Sequence, residues 1–392
     1  MNLLVRETNE STIRHFRVHQ YMLYSELIKV SMQYLYNFGL KWDTDYYDFH
    51  NKPVTIHQDD SYKNISYYAS DLLKIKLWPD DITDDYLLYT YIPRLVHESF
   101  FILGSKYYIP SLYISDEPIV LKAKSISIYS LFQPISIYFE DNRVTFMQDN
   151  YELRDFMQLL IMDWNEDNIK LIENSIKLHG PNRKSETELC KLFSSKLKCE
   201  ADPVKIKAQI NRLIFDNWTY ELYETYYGLT PSIDMIMKIA FDRLIDGFQP
   251  KFANLKYKRL MFIEQLMKEF FKRISLAVAK VLLKGKTLRQ LSFPINGFAT
   301  HFHTNLHNQS FYDTVNGFSS ILAHKATFRN PGASSKLPKS VADLHESHKY
   351  RICSNTIGND RPGQMVSLVP DQKVDTRFGI FEKNHYKLKH FK

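Results

Sequence analysis

Cysteine is the first scarcity. Cys190, Cys199 and Cys353 are the only three in 392 residues. The odd count and the absence of a C-x-x-C pair argue against a disulfide framework and point to a reducing compartment. Glycine is scarce as well, with 12 in the chain. The one fragment that resembles a phosphate-binding loop, Gly285-Lys286-Thr287, has Lys280 where that loop needs a further glycine, so the motif is rejected. No apolar run approaches the roughly 18 residues that span a bilayer. The first residues, with Arg6 and Glu7, lack the apolar core of a signal peptide. These absences lead us to expect a soluble, intracellular protein with no membrane partner. Internal repeats and low-complexity linkers are missing too.

What is present is apolar mass and an uneven charge. The chain is 44% hydrophobic, ample for two or three domains with cores of their own. Residues 251–392 hold 24 Lys/Arg against 9 Asp/Glu, a balance of +15, while residues 1–250 hold 27 against 35, a balance of −8. A basic third joined to an acidic remainder places polyanion contact at the C-terminal end. A solvated basic face, or a surface for acidic proteins, reads the same way.

Patterning predicts an α+β, multidomain chain. Residues 99–114, SFFILGSKYYIPSLYI, read as buried strand or mixed structure. In 135–146, Ile135, Ile137 and Phe139 share one face. Val144 and Phe146 follow the turn residues Asp141 and Asn142, which predicts a hairpin. Asp202 followed by Pro203 predicts a helix start, with Ile206, Ile210, Leu213 and Ile214 on its buried face. Residues 234–248 predict a second helix ending near Gly247. Residues 258–285 predict a long helix with Leu260, Ile263, Met267, Phe270, Ile274, Val278 and Val281 as a core stripe; Gly285 would cap it. From Phe293 on, regular periodicity fades and Gly, Pro, Ser, His and Asn become frequent. An ordered contact surface, incomplete without a partner, is expected there.

Residue types that carry chemistry occur in clusters. His301, His303 and His307 lie together, but no glutamate sits between them as in a zinc protease. His345, His348 and Cys353 provide three ligand types without a paired cysteine, so no zinc is expected. The same residues would allow a Cys–His nucleophile, with no oxyanion-hole motif beside it. Asp43, Asp45 and Asp48, and the run Asp80–Asp85, offer carboxylates of the kind that hold Mg²⁺ in phosphoryl transfer. Acidic loops account for such runs equally well.

One stretch is more specific. NGFSSI (316–321), His324-Lys325, NPGA (330–333) and HESHKYRIC (345–353) occur in an order and at distances that resemble the fork region of β-type second-largest subunits of multisubunit RNA polymerases. In that family an Asn-Pro-Leu-Ser-Glu-Ile segment leads through a basic stretch and a Gly/Pro loop to His-Pro-Thr-His-Tyr-Gly-Arg-Ile-Cys. Here His345, His348, Arg351, Ile352 and Cys353 match at identical spacing. The resemblance covers roughly 255–382. The family's next motif, Glu-Thr-Pro-Glu-Gly-Pro-Asn, has diverged to SNTIGNDRPGQMVSL (354–368), where Pro362, Gly363 and Gln364 take the Pro-Asn place. The split β subunits of giant tailed phages are the most similar members.

The resemblance implies a protrusion domain begun in 1–118, a lobe-like insertion in 119–250, the protrusion's return in 251–300, and a fork region in 301–392. It implies a DNA-directed RNA polymerase in which this chain is noncatalytic and forms one wall of the cleft. Mg²⁺ serves the assembled enzyme and is held by aspartates of another chain. The implied partners are a C-terminal β fragment, β′-type subunits, a promoter-specificity factor, the DNA template and RNA. The implied location is the cytoplasm of an infected cell or the virion. Arg351 is the first candidate for template, RNA or nucleotide phosphate, since arginine grips phosphate through two parallel hydrogen bonds. Lys325, Arg329 and Lys336 flank the Gly/Pro loop as candidates for nucleic-acid backbone contact, and Gln364 for a hydrogen bond there. His345, His348 and Cys353 mark the fork structurally. A stand-alone basic nucleic-acid-binding protein and a metal-dependent hydrolase are the competing classes.

Overall fold

A computed structural model describes residues 12–36, 40–47, 70–79, 86–93, 101–103, 106–109, 112–122, 124–147, 149–160, 166–175, 184–197, 199–246, 254–264, 274, 310–311, 325–327, 345–349, 351–352, 365–369 and 372–381. Its helices are α1 (Thr12–Met22), α2 (Tyr24–Tyr36), α3 (Leu153–Leu160), α4 (Glu166–Ser175), α5 (Glu186–Leu197), α6 (Pro203–Ile214), α7 (Asn217–Tyr227) and α8 (Ile233–Ile245). The strands before residue 117 are β1 (Leu40–Tyr47), β2 (Ser70–Pro79), β3 (Tyr86–Pro93), β4 (Phe101–Leu103), β5 (Lys106–Ile109) and β6 (Leu112–Asp116). Then come β7 (Ile119–Lys122), β8 (Ser125–Ile128), β9 (Ile135–Tyr138), β10 (Arg143–Phe146) and β11 (Asp149–Glu152). The last are β12 (Lys258–Met261), β13 (Ser310–Phe311), β14 (Lys325–Thr327) and β15 (Met365–Ser367). The fold is mixed α+β, with eight helices and several small sheets among the described residues.

The chain divides into two compact units. One combines Met1–Ser115 with Phe252–Lys392, and the other is the continuous run Asp116–Lys251.

The continuous unit is built from neighbours in sequence. Its sheet has the order β11-β10-β9-β8-β7, each strand antiparallel to the next. Strand alternation sends Ile119, Leu121, Ile126, Ile128, Ile135, Ile137, Val144 and Phe146 to one face, where all are buried. Helices α3 and α8 contact this sheet, and Phe156, Phe193, Met237 and Phe241 join the same core. Each such side chain contributes about 1.5–3 kcal/mol by leaving water. The 135–146 hairpin forms as the pattern predicts, and Asn142 adopts φ +45° at its turn. Helix α6 starts as predicted: the Asp202 carboxylate accepts from the Lys205 amide at 3.0 Å, and Pro203 opens the helix. Asp216 caps α7 and Ser232 caps α8 in the same way. Helix α8 ends at Ile245, and Gly247 lies outside the described residues.

The discontinuous unit is built from distant segments. It holds the meander β1-β2-β3, the small sheet β13-β5-β4, and a four-stranded sheet of order β12-β6-β14-β15. The 99–114 run resolves into β4, β5 and the start of β6. One expectation is corrected here. Residues 258–261, placed at the start of a long helix by their spacing, form strand β12. The reason is tertiary. The Leu260 amide donates to the Gly379 carbonyl at 2.8 Å, and Arg259 bridges Ile380. Pairing with a segment more than a hundred residues away outweighs local helical periodicity. Of the remaining stripe, Ile263 and Ile274 are buried, while Met267, Phe270, Val278, Val281 and Gly285 lie outside the described residues.

Candidate nucleic-acid interface

The fork-like motif is organised by a 3-10 turn over Glu346–His348. Its two histidines cap the turn reciprocally. The Ser347 amide donates to His345 Nδ1 at 3.1 Å, and the His345 amide donates to His348 Nδ1 at 3.4 Å. An imidazole that accepts through Nδ1 carries its proton on Nε2. His348 is buried. The Ser347 hydroxyl adds a second tie: it lies 2.9 Å from His345 Nδ1 and accepts from the Leu255 amide at 3.0 Å. That contact fastens the turn to another 3-10 turn, Leu255–Tyr257, which leads directly into β12.

The turn sets the position of Arg351. The amides of Arg351 and Ile352 both donate to the His348 carbonyl at 3.0 Å, and the Arg351 carbonyl accepts from Val369 at 3.0 Å. Ile352 bridges Leu368. The arginine's backbone is therefore fixed from both sides, while its side chain is half-buried. Burial pushes the guanidinium pKa down, because a cation in a poorly solvated place is disfavoured. A guanidinium held in that way gains more from a phosphate than a fully hydrated one does.

Lys325 opens β14, opposite Ser367 of β15, so the Lys325 and Arg351 segments both run alongside residues 365–369. Ala326, next to Lys325, is fully buried and pairs with Leu112 of β6 in parallel register. Arg329, Lys336, Cys353 and Gln364 lie outside the described residues, as do His301, His303, His307, Asp48 and Asp80–Asp85. Asp43 and Asp45 stand on β1, in register with Lys76 and Lys74 of β2. Among the described residues no group of three His, Cys, Asp or Glu side chains is placed to hold a metal ion, and no helix is long and apolar enough to cross a membrane.

Two supporting features escape sequence reasoning. Ser347, an unremarkable residue within the motif, joins the turn to Leu255. Arg259 and Glu264 form a fully buried pair, with two hydrogen bonds at 2.8 and 2.7 Å. Their spacing of five fits no helical pair rule, so no local signal announces it. No protein-family model matches the chain, and no curated protein matches it.

Proposed function

We propose that this chain is the N-terminal β-type portion of a split, viral DNA-directed RNA polymerase. In this reading it forms one wall of the nucleic-acid cleft and contributes positioning and charge rather than catalytic metal ligands. The observation that carries the proposal is the nine-residue segment His345–Cys353. Its matching histidines cap one another and hold Arg351 at the edge of a sheet that also carries Lys325. The division of the chain adds support. A unit interrupted by a compact insert at 116–251 has the organisation that a protrusion carrying a lobe would require. The basic balance of residues 251–392 adds a third strand.

Chemically, phosphoryl transfer depends on alignment and on compensation of charge that develops on phosphate oxygens. Arg351 would bind template, RNA or nucleotide phosphate, with the capped turn keeping its backbone in place. Lys325, Arg329, Lys336 and Gln364 would contact backbone without reading bases.

The test is affinity purification of the tagged chain from infected cells, with mass spectrometry of what accompanies it. The expected result is a set of large polymerase chains, one carrying the magnesium-binding aspartates. Purification of a lone chain that binds DNA with a steep salt dependence would establish the stand-alone reading instead. In the assembled enzyme, Arg351→Ala is expected to slow elongation at limiting nucleotide about tenfold, the loss of roughly 1.4 kcal/mol. An unchanged rate removes Arg351 from the site.

A further inference from the structure

Helix α1 carries a charge that is not balanced among the described residues. Ile13, Phe16, Arg17 and Gln20 recur at helical spacing and are all buried, with Arg17 at 1% exposure. The stripe is a core face, and a guanidinium stands in it. Among the described residues, its Nε, Nη1 and Nη2 atoms have no hydrogen-bond partner. One turn on, Gln20 Oε1 is also buried with no donor among the described residues, although Gln20 Nε2 donates to the Arg377 carbonyl. Residues 12–22 contain no Asp or Glu. The first carboxylate of α2, Glu26, is committed to Arg377 through bonds of 2.6 and 3.3 Å. Burial pushes the Arg17 pKa down to about 9, as expected for a cation without a counter-charge.

An ionised group buried without a partner is unfavourable by several kcal/mol, and native proteins supply an anion, a hydrogen-bonding network or an ordered ion at such a place. The three donor nitrogens of a planar guanidinium fork match the two oxygens of a carboxylate or the oxygens of a phosphate. The neighbouring acceptor on Gln20 suits an oxyanion that also brings a hydrogen, such as hydrogen phosphate or a carboxylate beside a peptide N–H.

We infer that Arg17 and Gln20 form a closed oxyanion receptor in the discontinuous unit, occupied by a carboxylate of an associated polypeptide or by a small free oxyanion. The site is remote in sequence from the fork motif, and the inference does not rest on the polymerase reading. Because Arg17 is shielded from solvent, α1 must part from its cover for the oxyanion to enter. The Gln20–Arg377 contact is one that such an opening would break.

The experiment uses the full chain, wild type and Arg17→Met. Each is melted in sodium chloride, sodium acetate and sodium phosphate at matched ionic strength. In chloride, Arg17→Met is expected to melt about 3 °C or more above wild type, because an uncompensated charge has been removed. Acetate or phosphate should raise the wild-type midpoint by a few degrees relative to chloride and leave the variant's within about 1 °C, since only the receptor gains from ligand binding. A variant that melts lower than wild type, or fails to fold, overturns the inference, because Arg17 is then already compensated within the chain. Equal anion responses in the two proteins overturn it as well. Once the receptor stands, affinity purification of both forms identifies its source. Loss of accompanying chains from the variant assigns the oxyanion to a polypeptide, and an unchanged set assigns it to a free ion.

Discussion

The two units of this protein are held together by opposite strategies. In 116–251 every strand of the five-stranded sheet pairs with its neighbour in sequence, and the helices carry their own caps at Asp202, Asp216 and Ser232. In the other unit one sheet joins strands that begin at residues 112, 258, 325 and 365. Its ties are long: Glu26 to Arg377, Leu260 to Gly379, and Leu255 to Ser347. Both units bury charge, Glu117 and Asp155 in the continuous one. The discontinuous unit buries Arg17, Arg259 and Glu264 at 1% exposure or less, and two of these satisfy each other. Local construction tolerates change because each piece is stabilised near home. Construction from distant segments concentrates stability in a few contacts, since each one closes a long stretch of chain.

The largest expected effect comes from breaking the buried pair. Glu264→Ala removes the buried carboxylate that accepts two hydrogen bonds from the Arg259 guanidinium and should destabilise the discontinuous unit by about 3–5 kcal/mol. Hydrogen exchange followed by peptide mass spectrometry should accelerate in 254–264 and 372–381 and stay unchanged in 116–251. Acceleration throughout would show that the two units unfold together. Next in size is Gly379→Ala. Gly379 has φ +68°, and an added Cβ would lie 2.1 Å from the Leu260 carbonyl oxygen. A cost of about 3 kcal/mol is expected from strain and displacement of β12, read as a lower urea midpoint for the unit that contains Gly379. The smallest effect belongs to the locally built unit. Asp202→Ala removes the α6 cap and should cost about 1 kcal/mol, with faster exchange confined to the first turn of α6. A loss as large as that of Glu264→Ala would erase the contrast between the units.

The same contrast explains which features could be read in advance. The 135–146 hairpin and the Asp202-Pro203 helix start were legible because their determinants lie within a few residues: alternation, a turn pair, a cap and a fixed proline φ. Strand β12 was not. Leu260 and Ile263 fit a helical stripe, and only pairing with residues 379–380 makes 258–261 extended. At the candidate site the motif spacing named His345, His348 and Arg351. It did not disclose that His345 caps the Ser347 amide and His348 the His345 amide, or that Ser347 fastens the turn to Leu255. Side-chain acceptors that reach across three residues are visible as composition, whereas their direction depends on the turn that forms.

By itself the sequence determined the mixed α+β character, the 135–146 hairpin, the helices that begin at Pro203 and Ile233, and the concentration of positive charge from residue 251 on. These follow from period, caps and composition, which act over short distances. Tertiary structure alone decided that Arg259 finds Glu264, that Gly379 lies against Leu260, and that Arg17 is buried without a counter-charge among the described residues. The Leu260–Gly379 contact depends on distant segments meeting, and Arg259 and Glu264, five residues apart, pair at no helical spacing, so neither leaves a periodic trace in the sequence.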